Sequence, residues 1–196
     1  MSFISKYRAI ANEGRFLIHT PYYTDDPTEL QRAWRAMEEV KKTGKVRSIG
    51  VSNFQRHHLE TILQTANVVP AINQLEFHPY LQRSGYLPWM KEHGITVSSF
   101  KGLAPLTVAK GGPLDEPLNR IAEKHGVSAG VVLLRWHIER GVVPVTTSTH
   151  EERVGDYLKA ADLKLSYEEV EEISRIGQTK HFRWWGKQSF ANDDRS

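Results

Sequence analysis

Five short apolar stretches of this chain each finish on side chains that can do chemistry. FLIH ends on His19, IGVSN on Ser52 and Asn53, and VSSF on Phe100, while INQLE carries Asn73 and Gln74 and PVTTS ends on Thr147 and Ser148. These are imidazole, hydroxyl, amide and aromatic groups, able to move a proton, donate and accept hydrogen bonds, or stack on a flat ring. The buried end of a strand is normally apolar, so five such endings point to one shared ligand site. Just beyond the last stretch, TSTHEER places Thr149 three residues before Glu152, a capping-box spacing that predicts a helix start, followed by Arg153.

The elements that must position these groups follow from hydrophobic period. Strand-like runs cover Arg15 to His19, Arg47 to Val51, Ala71 to Leu75, Ile95 to Phe100 and Val142 to Thr146. Between the first two, TELQRAWRAMEEVKKTG sets Leu30, Trp34, Met37 and Val40 on one helical face, with a lysine-rich last turn and Gly44 as its stop. QRHHLETILQTA carries the stripe Leu59, Ile62, Leu63 and Ala66, and GYLPWMKEHG predicts a shorter helix with Pro88 in its first turn. DEPLNRIAEKHG and SAGVVLLRWHIERG predict consecutive helices, the second capped by Ser128. HEERVGDYLKAAD follows the fifth strand, and SYEEVEEISRIGQ opens on a Ser166–Glu169 capping box. Lys101 to Pro113 reads as a loop. The pattern is α/β, five strand-helix units of a parallel sheet in one domain. Periodicity alone leaves two architectures open, an open doubly wound sheet or part of a closed barrel. No G-x-G-x-x-G occurs, the usual mark of a nucleotide-binding open sheet.

Composition narrows the function classes. The 196 residues are 39% hydrophobic and 25% charged, ordinary for a globular domain, with a net charge of +3. Basic residues are scattered, which argues against nucleic acid. Cysteine is absent, which removes disulfides and thiolate metal sites and suits the cytoplasm. No apolar run approaches the ~20 residues of a membrane helix. His57, His58, His93, His125 and His137 show no metal-ligand spacing. Residues 1–15 read as an irregular leader, with a weak mitochondrial presequence as the alternative, and residues 181–196 as an aperiodic tail.

FLIHTP, GKVRSIGVSNF, INQLEFHPYLQ and LLRWHIERGVVPVTTSTHEERVGDYLKAADLKLS, in that family's order, resemble blocks of the aldo-keto reductases over roughly Phe16 to Gln178. The VTTS wording is similar to the fungal and yeast-type keto-ester and keto-amide reductase branch. The resemblance implies a partial (β/α)8 barrel over residues 16–180, with ligand groups at the carboxyl ends of its strands. It implies an NADP-dependent oxidoreductase that reduces an aldehyde or ketone, with NADPH favoured over NADH. His19 would be catalytic, orienting the substrate carbonyl. Ser52, Asn53 and Gln74 would hold the nicotinamide carboxamide, and Phe100 would stack on its ring in place of the usual tyrosine. Lys101, Leu103, Thr147, Ser148, Arg153 and Asp156 complete the implied cofactor contacts. Thr147 stands where many members have lysine, and Lys101 replaces a small residue. Glu76 and His78 fall in a family block but read as structural.

The resemblance also marks gaps. The family's tyrosine acid, lysine and aspartate precede the histidine segment, and nothing before Phe16 matches them. Tyr22 and Tyr23 are assigned to the substrate pocket at best, and Trp184 and Trp185 either close over substrate or form a loose apolar tail. A barrel short of three strands would expose two parallel edges, which invite self-association. The rival expectation is a cofactor-binding or regulatory module without turnover.

Overall fold

The computed structural model describes residues 14–186. The expected leader and the last part of the tail therefore lie outside the described residues. Five parallel strands alternate with helices, β1 (Arg15–Ile18), α1 (Pro27–Lys42), β2 (Ser48–Ser52), α2 (Arg56–Leu63), β3 (Ile72–Glu76), α3 (Tyr86–Glu92), β4 (Thr96–Phe100), α4 (Asp115–His125), α5 (Ala129–Glu139), β5 (Val142–Pro144), α6 (Glu151–Leu158) and α7 (Tyr167–Gly177). The described residues divide into two compact units, 14–75 with 86–96, and 76–85 with 97–186.

In the first unit β1, β2 and β3 lie side by side in chain order, all parallel. Register pairs Ile18 with Val51 and Ser52 with Gln74, so the three carboxyl ends finish level. Gly50 sits where a Cβ would come within 2.6 Å of the Ile72 carbonyl oxygen, so only glycine lets β2 lie this close. Asp26 caps α1 through its carboxylate on the Thr28 N–H, and the helix ends before Gly44 at a φ of +73°. The α1 stripe is as its spacing predicts, with Leu30, Trp34 and Met37 buried and Val40 half-buried. Trp34 and Glu38 add polar ties to the loop before β3: the indole donates to the Val68 carbonyl, and the carboxylate accepts the Asn67 and Val68 N–H groups. Fully burying an apolar side chain such as Leu30 or Met37 contributes about 1.5–3 kcal/mol.

In the second unit β4 and β5 are parallel, with Val97 opposite Val142 and Ser99 opposite Pro144. β5 is shorter than the sequence predicts: its pairing ends at Pro144, with a last backbone bond from the Val145 N–H to the Ser99 carbonyl at 2.8 Å. The core joins Phe77, Trp136, Leu118, Ile121, Val132, Leu133 and Ile173, with Phe77 stacked on Trp136 at 5.4 Å. Trp136 donates its indole N–H to Ser174 Oγ, fixing α5 on α7. Ser128 caps α5 and the Ser166–Glu169 capping box opens α7, both as their spacing predicts. Within the loop of 101–113, Ala104–Leu106 form a short 3-10 turn, and Lys180 donates to the Ala109 carbonyl.

Candidate functional site

The polar groups of the first unit form a small network at the strand ends. Asn53 follows β2 with a φ of +60°, a conformation its short amide tolerates better than most side chains. Its backbone N–H donates to the Gln74 carbonyl at 2.9 Å. Its Nδ2 donates to the His19 carbonyl at 3.0 Å and to Ser52 Oγ at 3.1 Å, and Ser52 Oγ donates to the Gln74 carbonyl at 2.8 Å. Ser52 and Asn53 thus tie the ends of all three strands together. Both amide hydrogens of Asn53 are committed to this frame, leaving its carbonyl oxygen as the acceptor available to a ligand. His19 lies one residue beyond β1 and is exposed, and Gln74 is half-buried. Asn73 belongs elsewhere: it is fully buried, with Nδ2 donating to the Phe54 carbonyl and to the Tyr86 hydroxyl on α3. Strand alternation turns it to the opposite face from Gln74. Tyr22 packs edge-on against His58, 5.3 Å between centroids. Burial lowers His58 to about 4, with His57 nearby adding to the effect, so the His58 ring is neutral at pH 7 and its Nδ1 accepts the Gln55 N–H.

The second unit holds a cavity of about 620 Å³. Phe100, Lys101, Leu103, Thr147, Ser148 and Arg153 line it together. Thr107, Thr149, His150 and Tyr157 also line it, and sequence reading did not place them there. For Tyr157 a signal existed, since residues four apart share a helix face and Arg153 was already singled out. Among the described residues that line the cavity none is a carboxylate, so Lys101 and Arg153 face it beside a run of hydroxyls. Such a set suits an anionic ligand bearing phosphate.

One expectation fails here. Thr149 and Glu152 form no capping box, because α6 begins at Glu151 with His150 in the cap position. The His150 N–H is taken instead by Ser148 Oγ at 3.0 Å, a local turn that competes with the cap. Asp156 is not among the described residues that line the cavity. Its carboxylate accepts the Ser128 hydroxyl at 2.5 Å and pairs with Lys159, joining α6 to the start of α5, and these two contacts depress its pKa.

Glu76 and His78 form a buried pair, Oε1 to Nε2 3.1 Å. The Glu76 carboxylate also accepts the backbone N–H groups of Trp184 and Trp185 at 2.7 and 2.8 Å. Burial alone would raise its pKa, but the His78 and tryptophan contacts outweigh it and hold the carboxyl below its ordinary value. Residues 181–186 are therefore an anchored strap rather than a loose tail, with Arg183 buried. Trp184, about half exposed, lies with its ring face 4.1 Å from Lys101 Nζ.

Five parallel strands alternating with helices, with polar groups at the strand ends of the first unit and a cation- and hydroxyl-lined cavity in the second, define an α/β fold of the barrel class. The chain belongs to the aldo/keto reductase family, whose model matches residues 14–178. It is similar to a NADPH-dependent alpha-keto amide reductase of Saccharomyces cerevisiae, 36% identical over 83% of this chain and 54% of that protein. It is also similar to a glyoxal reductase of Bacillus subtilis, 38% identical over 83% of this chain and 56% of that protein. The chain thus spans about half the length of these curated relatives. Among solved structures, an aldo-keto reductase of Bombyx mori in complex with NADP superposes with a TM-score of 0.75 at 28% identity, over 83% of this chain and 56% of that one.

Proposed function

We propose that this chain binds NADPH in preference to NADH and serves the reduction of a small aldehyde or ketone to an alcohol. The observation that carries this reading is the cavity in which Lys101 and Arg153 stand beside Thr147, Ser148 and Thr149 with no carboxylate lining it. Those residues would hold the phosphates of the dinucleotide, Phe100 would stack on its nicotinamide ring, and the Asn53 carbonyl oxygen with Gln74 would meet the carboxamide. Bound NADPH would supply the hydride. His19, exposed beside Asn53, would orient the carbonyl oxygen. The VTTS wording and the likeness to the yeast alpha-keto amide reductase support an activated ketone, a keto-ester or keto-amide, as substrate. A cytoplasmic setting and self-association through exposed strand edges complete the reading.

No residue of this sequence was matched to the family's tyrosine, lysine and aspartate, and a general acid is worth about 10²–10⁴ in rate. Turnover by this chain alone is therefore expected to be slow. With purified protein, NADPH and an activated keto-ester or glyoxal, a slow carbonyl-dependent loss of NADPH absorbance should appear. His19→Ala should reduce it by about tenfold or more. A second reading, a cofactor-binding or regulatory module without turnover, draws on the same missing tyrosine, lysine and aspartate. NADPH binding with no carbonyl-dependent loss would select that reading. Failure of both binding and turnover would mark a fragment with no activity of its own.

A further inference from the structure

Lys101 is held in an unusual way. It has a φ of +57°, a left-handed conformation uncommon for a residue with a long side chain. This bend at the end of β4 sets its direction, and the side chain lines the cavity that also holds Arg153. Its ammonium lies 4.1 Å over the face of Trp184. Trp184 is itself fixed, since its backbone N–H and that of Trp185 are bound by the two oxygens of the buried Glu76 carboxylate. A carboxylate partner would hold Lys101 equally well but would cancel its charge. An aromatic face attracts a cation through its quadrupole and leaves the positive charge available to a third group. The arrangement restrains a flexible cation at a cavity wall without neutralising it, and the entropy of ordering that side chain is lost before any ligand arrives.

We propose that Lys101 is a phosphate-binding residue of the cavity and that Trp184, on the C-terminal strap, is the positioning residue that holds its ammonium for an incoming anion. This rests on the reading of the cavity as the dinucleotide site and assigns the strap a role in it. It also accounts for a cofactor site in which Thr147 supplies no charge: the second cation comes from Lys101 at the end of β4.

The test is an equilibrium titration of the full chain with NADPH and, separately, adenosine 2′,5′-bisphosphate, at two salt concentrations. Lys101→Met should weaken both ligands by about tenfold and flatten the salt dependence, as loss of a charge-assisted contact requires. Trp184→Leu should weaken them about three- to tenfold, whereas Trp184→Phe, which keeps an aromatic face, should recover most of the loss. The double variant Lys101→Met/Trp184→Leu should bind no worse than Lys101→Met alone, because the two residues act through one contact. Additive losses in the double variant, or no recovery with phenylalanine, would overturn Trp184 as a positioning residue. Unchanged binding in Lys101→Met while Arg153→Ala weakens NADPH would overturn this proposal and leave the dinucleotide site standing. Failure of the wild type to bind either ligand would overturn the site reading itself.

Discussion

Asn53 shows how one residue serves frame and site together. Its αL backbone makes the turn after β2, its amide nitrogen joins Ser52 to the end of β1, and its carbonyl oxygen is left over. The residue types at these strand ends were legible in the sequence, since polar groups ending apolar runs are seldom accidental. Their internal hydrogen bonding was not legible, because it depends on a register that no single strand contains. Asn73 and Gln74 make the same point: they are neighbours in sequence and face opposite ways, and only the strand's alternation decides which one reaches the rim. In the proposed cofactor site, selectivity is expected to turn on Arg153. Arg153→Ala should weaken NADPH by about 1.5–3 kcal/mol, roughly ten- to a hundredfold, and NADH much less, since only NADPH carries the 2′-phosphate. Thr147→Lys should shift preference further toward NADPH. Competitive titration of both cofactors checks this, and equal weakening of NADH and NADPH by Arg153→Ala would show the residue to support the fold alone.

At the scale of elements, helices were read well where a periodic stripe and a cap agreed, as in α1 with its Gly44 stop, α5 with Ser128 and α7 with Ser166 and Glu169. α6 was placed correctly but its start was not, because Ser148 and Thr149 both offer a hydroxyl and the nearer turn won. The strap escaped sequence reading for another reason: its anchor, Glu76, lies more than a hundred residues away and receives backbone groups, which carry no residue signature. Glu169 gives the junction of α4 and α7 a pH dependence. Burial opposes its ionisation, but Lys124, the Ser166 N–H and His125 together hold the carboxyl at about 2, against an ordinary value of 4.5. A depressed carboxyl contributes stability that is complete above the ordinary value and is lost as pH falls toward the folded one. The contribution is on the order of 2 kcal/mol, less than the full shift implies because Lys124 is exposed to solvent. Urea midpoints of the wild type should therefore fall between about pH 4.5 and 2 more steeply than those of Glu169→Gln, and identical pH profiles would show that the cluster contributes nothing.

At the scale of the whole molecule, alternation of period disclosed an α/β chain with five parallel strands, and the likeness to solved aldo-keto reductase structures, rather than the strand order within either unit, decided between the two architectures that periodicity left open. The apolar runs named the core because burial follows period, whereas the cavity of the second unit is built from β4, the loop after it, the segment after β5 and α6, which no local pattern joins. The central claim is that this assembly still recognises a phosphorylated dinucleotide although the chain spans only about half the length of its relatives. Isothermal titration of the purified, folded chain with NADPH tests it most directly. Saturable binding at one site per chain is expected, weakened by Arg153→Ala and weaker for NADH. A chain that unfolds cooperatively, and is therefore intact, yet gives no saturable NADPH binding would contradict it.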